Sequence, residues 1–377
     1  MHRVLYNIRF DQVRQGGVGQ YMQLLTTHID RRRFSLVDLS WRKEPAISGL
    51  RPTTRWAVWE RRAYSSIDWL RFKRRLRRQP IDLLHLNPSL GGAALARDMC
   101  FARTACRAGV PVLVFFRGWN PSYQQYLEKH PRKLRRFQAA FQGAAKILVL
   151  GNSFKQTLID WGFDETKLVL ETTVVDDTLV EDQQEDPQAR QQPNEPVNIL
   201  VLSRLERSKG LYVALDAFAM LKRREENVTM TIAGDGTELQ AAQAYVRRRH
   251  LEGVQWLGWV TGEAKRQAMN QADLYLFPSY TEGMPNSVLE AMACGLPVVT
   301  RPVGGLVDFF ENGRMGLMTE SLAPGVFVDL IGKLVKDPPL RHRMGAFNRA
   351  YARRRFLASN VAKRIEAIYS EILEAKR

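Results

Sequence analysis

Two charged groupings in the second half of the chain have residue types and spacings that could manage a charged leaving group. Arg204 and Lys209 stand five positions apart in the segment SRLERSKG (203–210), after an apolar run and before a helical pattern. In a loop at a strand end, both can reach one point above a sheet. A guanidinium forks onto two oxygens and an ammonium acts as a mobile point charge, so together they suit a diphosphate. The positive end of the helix starting near Leu211 would add to that field. A solvated basic loop is the competing reading. Farther on, YTEGMPNSVLEAMACGL (280–296) carries Glu282 in a loop and Glu290 eight positions later in the next helix. At about 100° per residue, eight positions make two turns plus about 80°. The two carboxylates therefore do not stack on one helical face. Glu290 sits in the apolar run Val288-Leu289-Glu290-Ala291-Met292, and a carboxylate on a buried face needs a partner. A ribose diol would supply two hydroxyl donors. Backbone N–H groups between Gly283 and Ser287 are unpaired at a helix start and can hold phosphate or sugar oxygens.

Strands and helices must alternate to place these groups. Val4 to Ile8, Leu36 to Leu39, Leu83 to Leu86, Val112 to Phe116 and Ile147 to Leu150 read as short buried strands. Val18 to Ile29 and Ser153 to Trp161 read as helices between them. The segment EDQQEDPQARQQPNEP (181–196) has no periodicity and reads as a linker. The alternation restarts with strands at Val197 to Leu202, Val228 to Ala233, Val254 to Trp259, Leu274 to Pro278 and Val298 to Arg301. Helices follow at Leu211 to Leu221, Thr237 to Arg249, Gly262 to Asn270 and Asn286 to Ala293, and Arg341 to Lys376 reads as helical. The expectation is an α/β protein with two doubly wound, Rossmann-like domains facing a central cleft. The first spans 1–180 and the second 197–354, with helix 355–377 packing back on the first. Ligands of open α/β sheets bind beyond the carboxyl ends of the strands. That places one near the loops after Leu202, Ala233, Pro278 and Arg301.

Composition narrows the class. Of 377 residues, 45% are hydrophobic and 25% charged, the balance of a globular protein. Cys100, Cys106 and Cys294 show no paired spacing, which speaks against a disulfide framework or a zinc ribbon and for a reducing compartment. The start MHRVLYNIRF lacks the apolar core of a signal peptide, and no run is long enough to span a bilayer, so a cytoplasmic protein is expected. The net charge is +17, with basic runs at 31–33, 71–78, 132–136 and 353–355. Two of these are interleaved with aromatic residues between 56 and 142. Segments 59–78 and 123–141 read as helices with Arg on one side and Trp, Leu or Phe on the other. Such helices suit the inner face of an anionic cytoplasmic membrane, against the alternative of an ordinary solvated face.

Read in order, Arg204 and Lys209, Ala233-Gly234-Asp235-Gly236, Phe277-Pro278-Ser279, Glu282-Gly283 with Glu290-Ala291-Met292-Ala293, Gly295-Leu296-Pro297-Val298-Val299, Val303-Gly304-Gly305 and Asn312-Gly313 resemble the retaining GT-B glycosyltransferases of glycosyltransferase family 4. The resemblance extends over about 120 residues. Gly16-Gly17-Val18-Gly19 after the first strand is similar to the family's glycine loop, and the helix around Val361 to Leu373 to its crossing C-terminal helix. The resemblance implies that Arg204 and Lys209 bind the donor diphosphate and help the nucleotide leave. It puts Glu290 on the ribose, Glu282 on the transferred sugar, and the amides of Gly283, Met284, Pro285 and Asn286 (Pro285 by its backbone alone) around sugar and phosphate. Gly16 and Gly17 would admit close approach of donor or acceptor, and Leu239 would line the base pocket. Where many members have His followed by Gly or Asp, this chain has Arg117-Gly118-Trp119-Asn120. Arg117 is expected to contact donor sugar or phosphate, and it cannot act as a base. His85 reads as a structural residue.

The expected activity is a hexosyltransferase-type glycosyltransferase (EC 2.4). It would move a sugar from a nucleotide-diphosphate sugar to a glycan or lipid-linked acceptor, with retention, in bacterial surface polysaccharide or glycolipid synthesis. No Asp-x-Asp pair stands out, and Asp176-Asp177 reads as a loop, so metal independence and no cofactor beyond the nucleotide-sugar co-substrate are expected. The alternatives are a basic nucleic-acid-binding protein, for which no known recognition motif is present, and another enzyme of the same fold such as a sugar-nucleotide epimerase. A dehydrogenase is disfavoured because Met22 stands where a G-x-G-x-x-G fingerprint needs its third glycine.

Overall fold

The structure, a computed structural model, describes residues 1–7, 17–39, 55–91, 93–180, 195–224 and 226–376, with residues 55–66 and 93 described by their backbone alone. The chain divides into two compact units, Met1–Thr172 with Ala362–Arg377, and Thr173–Val361. The crossing falls before the Gln-rich segment because Val175, Leu179 and Val180 are buried in the core of the second unit. Residues 181–194 of the expected linker lie outside the described residues.

The first unit contains strands β1 (His2–Tyr6), β2 (Phe34–Asp38), β3 (Leu83–Leu86), β4 (Ser89–Leu90), β5 (Val112–Phe115), β6 (Gly118–Trp119), β7 (Lys146–Val149) and β8 (Leu168–Leu170). Six of them form a parallel sheet in the order β2-β1-β3-β5-β7-β8, while β4 and β6 pair separately. The helices are α1 (Gly17–His28), α2 (Arg55–Arg78), α3 (Ala93–Arg107), α4 (Pro121–Glu128), α5 (Pro131–Phe141) and α6 (Asn152–Asp160). Phe72, Phe101, Phe137, Phe141 and Leu158 from four of these helices share one core with the sheet. The helix expected over 123–141 is two helices, because Pro131 has no N–H to continue α4 and instead starts α5.

The second unit has a parallel sheet of β9 (Val197–Leu202), β10 (Val228–Ala233), β11 (Val254–Gly258), β12 (Leu274–Phe277), β13 (Val298–Thr300) and β14 (Gly316–Met318). The order is β11-β10-β9-β12-β13-β14. Its helices are α7 (Leu211–Arg223), α8 (Leu239–Arg248), α9 (Gly262–Asn270), α10 (Asn286–Ala293), α11 (Pro324–Lys336) and α12 (Pro338–Phe356), followed by α13 (Ala358–Glu374). Successive strand residues point to opposite faces. Ile199 and Val201 accordingly join the core under α7, α8 and α11, and Leu200 the core under α9, α10 and α12. Burial on both faces is why these strands read as unbroken apolar runs. The sequence leaves β9 toward β10 on one side and returns to β12 on the other, so the switch point lies between β9 and β12.

The C-terminal helix expected to run unbroken to Lys376 is interrupted at Leu357, which is extended (φ −57°, ψ 139°). Its flanks bond to Val175, whose N–H donates to the Phe356 carbonyl and whose carbonyl accepts from the Ala358 N–H. From Ala362 onward α13 belongs to the first unit. There Tyr369 meets His85, and Arg364 forks onto Glu171 at 2.6–3.2 Å.

Candidate functional site

The loops that follow β9 and β12 flank the switch point of the second sheet, and they are stitched together. The Tyr280 N–H donates to the Ser208 carbonyl at 2.9 Å, and Ser279 Oγ reaches the same carbonyl at 3.3 Å. The first loop closes as a 3₁₀ turn, Arg207–Lys209, that hands over to α7 through Gly210 at φ +74°. A Cβ on Gly210 would stand 2.1 Å from the Pro278 carbonyl oxygen, so only glycine lets the two loops approach this closely. The second loop is pinned from beyond β13. There the Gly305 N–H donates to the Gly283 carbonyl at 2.8 Å, and Gly304, at φ +54°, has no room for a side chain against that same carbonyl. Arg301 holds the Ser279 carbonyl at 3.1 Å.

Each acidic residue picked out from the sequence is paired in this arrangement. Lys209 Nζ lies 2.6 Å from Glu282 Oε1, with 12% and 13% of the two side chains exposed. Ser279 Oγ donates to the same oxygen at 2.7 Å. Glu290, 3% exposed on α10, is paired with Lys265 of α9 at 2.7 Å. Arg204 is exposed and bonds Glu206 at 2.7 Å. Nearby Tyr275, fully buried on β12, donates its hydroxyl to the Leu202 carbonyl at 2.7 Å. Burial pushes its pKa up, and the charges of Glu290 and Glu282 add to the effect, so it stays a donor. The helix α10 begins after Pro285 with no side-chain cap. Among the described residues, the N–H groups of Gly283, Met284, Asn286 and Ser287 donate to no backbone carbonyl. The result is an arrangement of three cations, each held by a carboxylate, beside a helix start whose N–H groups bond no backbone carbonyl. An arriving anion can take over Lys209 and Arg204, which stand on the loop, and leave Glu282 to accept hydroxyl groups.

The residues expected from the sequence fall into separate groups. Arg204, Lys209, Glu282, Gly283, Met284, Pro285, Asn286 and Glu290 all lie on the two stitched loops and α10. Leu239 opens α8 and packs half-buried against the core beneath it. Gly17 and Arg117 lie in the first unit. Gly17 is exposed at the start of α1, and Gly16 lies outside the described residues. Arg117 follows β5 and is 9% exposed, its guanidinium 3.8 Å from the centre of the Tyr21 ring and 4.4 Å from that of Phe115. Burial lowers its pKa to about 10, so it remains a cation. His85 is buried with Nδ1 2.6 Å from the Tyr369 hydroxyl. Asp176 caps a turn by accepting from Thr178, and Asp177 accepts from Ser359, which makes that acidic pair structural. Among the described residues no group of three or more His, Cys, Asp or Glu side chains could hold a metal ion, and no helix is long and apolar enough to cross a membrane.

Sequence reasoning missed Lys265, Ser279 and Tyr275. Lys265 had a readable signal. It stands three and four positions before Ala268 and Met269, which are buried, so helical spacing puts it on the inward face of α9. Ser279 and Tyr275 carried no such signal, since a Tyr in a buried strand reads as core.

Residues 182–351 match the family model described as glycosyl transferases group 1, and residues 15–178 match that described as glycosyltransferase family 4. Among curated proteins, the D-inositol 3-phosphate glycosyltransferase of Corynebacterium jeikeium is 32% identical over 45% of this chain and 42% of its own. The alpha-D-kanosaminyltransferase of Streptomyces kanamyceticus is 24% identical over 82% of this chain and 83% of its own. The chain spans under half the length of the first of these relatives. Among solved structures, the sucrose-phosphate synthase of Thermosynechococcus elongatus superposes with a TM-score of 0.74 at 17% identity, covering all of both chains. The HepE protein of Anabaena, solved with UDP and glucose, superposes with a TM-score of 0.70 at 18% identity, covering 98% of this chain and 100% of its own. The fold is GT-B.

Proposed function

We propose that this GT-B chain is a glycosyltransferase that moves a sugar from a nucleotide-diphosphate sugar to a glycan or lipid-linked acceptor. One observation carries the reading. Lys209 and Glu282 meet at the switch point of the second sheet, beside the open start of α10, the helix that carries buried Glu290. The matches to glycosyltransferase models over both parts of the chain support it.

On this reading the donor's diphosphate lies against Lys209, Arg204 and the amides of Gly283, Met284 and Asn286. Breaking the anomeric C–O bond leaves its electron pair on the diphosphate, and cations already in position stabilise that charge. Lys209 exchanges Glu282 for phosphate, which frees Glu282 to accept hydroxyls of the transferred sugar. Glu290 accepts from the ribose. The acceptor's hydroxyl oxygen forms the new bond to the anomeric carbon, and its proton passes to the departing diphosphate. These side-chain cations support a reaction without a metal ion. Retention of configuration and hexosyl transfer (EC 2.4) are proposed from the family matches, as is a place in surface polysaccharide or glycolipid synthesis. The first unit is proposed to receive the acceptor, Gly16 and Gly17 to admit close approach of donor or acceptor, Arg117 to contact donor sugar or phosphate, and Leu239 to line the base pocket. The exposed Arg and Lys side chains of α2 and α5, beside exposed Ile67, Leu70 and Tyr126, support peripheral attachment to an anionic membrane from the cytoplasmic side.

The test is nucleoside diphosphate release from UDP-, GDP-, ADP- and dTDP-sugars. The wild type should turn over at least one donor. K209A and E290A should lose that turnover while keeping a folded circular dichroism spectrum. Unimpaired transfer in both variants would sink the assignment.

A further inference from the structure

We infer that Lys265 is a positioning residue for ribose recognition, an inference that rests on the reading of Glu290 as the ribose acceptor. Glu290 projects from α10 among Val288, Leu289, Ala291 and Met292, each of them fully buried. An isolated carboxylate in such surroundings would carry a large desolvation penalty. The compensating charge comes from α9, where Lys265 sits on the same face as buried Ala268 and Met269 and sends its ammonium 2.7 Å from Glu290 Oε1.

The ammonium bonds a single oxygen of the carboxylate. Among the described residues Glu290 Oε2 accepts no hydrogen bond. A carboxylate has about four lone-pair sites, so one oxygen held by Lys265 leaves the other for a diol. The ammonium also fixes the rotation of the carboxylate plane, and with it the direction in which Oε2 faces. Lys265 is therefore distinct in role from Lys209. Lys209 and Glu282 stand on the two loops, where Lys209 is placed to change partners when the donor binds, whereas Lys265 and Glu290 join helices α9 and α10 and Lys265 keeps its partner. Its effect is expected on the sugar of the nucleotide and not on the diphosphate.

Calorimetric titration of UDP, GDP and ADP, each beside its 2′-deoxy form, separates these roles. The wild type should prefer the ribonucleotide about tenfold or more, the size of one hydrogen bond to a charged acceptor. K265M should bring the two forms to within about threefold, by weakening the ribonucleotide while the 2′-deoxy form changes little. K265R, which keeps the cation, should restore the preference. If K265M melts below the assay temperature, K265Q removes the charge with less disruption and gives the same readout. An undiminished preference in K265M, or an equal loss for both forms, overturns the role of Lys265 and leaves the function standing. A wild type that binds nucleotide without preferring the ribose form overturns the assignment of Glu290 itself, and one that binds none overturns the proposed function.

Discussion

Replacing Lys209 by methionine separates what the Lys209–Glu282 pair does for the fold from what it does for a ligand. The two groups are 2.6 Å apart with 12% and 13% of their side chains exposed. In K209M, Glu282 would keep only the Ser279 hydroxyl as donor. Breaking a fully buried pair costs about 3–5 kcal/mol, and the residual exposure here reduces that to about 2–3 kcal/mol. In a unit of this size each kcal/mol moves the melting temperature by about 2–4 °C, so K209M should melt about 5–10 °C lower. The double variant K209M/E282Q has no stranded charge, and the side-chain amide that replaces the carboxylate can still accept from Ser279. It should recover to within about 1 kcal/mol of wild type; with E282Q alone costing about 1 kcal/mol or more for the stranded lysine, the coupling in the four-protein cycle is about 2 kcal/mol or more. Turnover should not recover with it. Losing a cation aimed at the leaving group costs about 100-fold or more in kcat, in the single and the double variant alike. Calorimetric melts and donor turnover on the four proteins give both numbers. A coupling below about 0.5 kcal/mol, or a double variant as active as wild type, would refute the reasoning.

Three further outcomes follow from particular residues. Burial, with the Arg117 guanidinium adding to it, lowers the pKa of His85 to about 3, below the ordinary 6.5. The unfolded chain takes up that proton first, so stability should fall as pH drops from about 6.5 toward 4, by up to about 1.4 kcal/mol per pH unit, and an H85N variant should flatten the slope in acid melts. G210A should lose about 2 kcal/mol or more, because its φ is left-handed and its Cβ meets the Pro278 carbonyl, and it should slow donor turnover; a melt unchanged from wild type would contradict that packing. Substituting Gln for the basic residues of 71–78 and 132–136 should lower sedimentation with anionic liposomes, each lost charge removing about 1 kcal/mol; unchanged sedimentation would reject the membrane contact.

Much of the second unit was legible because its strands are buried on both faces and bounded by Gly and Pro. The helix at Gly262–Asn270 and the one at Asn286–Ala293 stand where the pattern put them. The breaks were harder to see. Leu357 leaves the helix only because Val175, far away in sequence, bonds to both of its flanks, and no local pattern encodes that contact. Pro131 was a local signal that the helical reading of 123–141 passed over. In the site, the residue types that meet at Glu282 were readable, but their pairing was not. Charge and spacing indicated that Glu290 needed a partner, yet they pointed to a ribose and not to Lys265, because the lysine lies 25 positions earlier on another helix. Arg117 stood out as an unusual residue, yet nothing in its neighbourhood in the sequence shows that Tyr21 and Phe115 hold its guanidinium.

The central claim is that the loops after β9 and β12 bind a nucleoside diphosphate. Calorimetric titration of the wild type and of E290A with UDP, GDP and ADP tests it without reference to any acceptor. The account predicts saturable binding of at least one of the three by the wild type, weakened about tenfold or more in E290A. No binding by the wild type, or binding that E290A leaves unchanged, would contradict it.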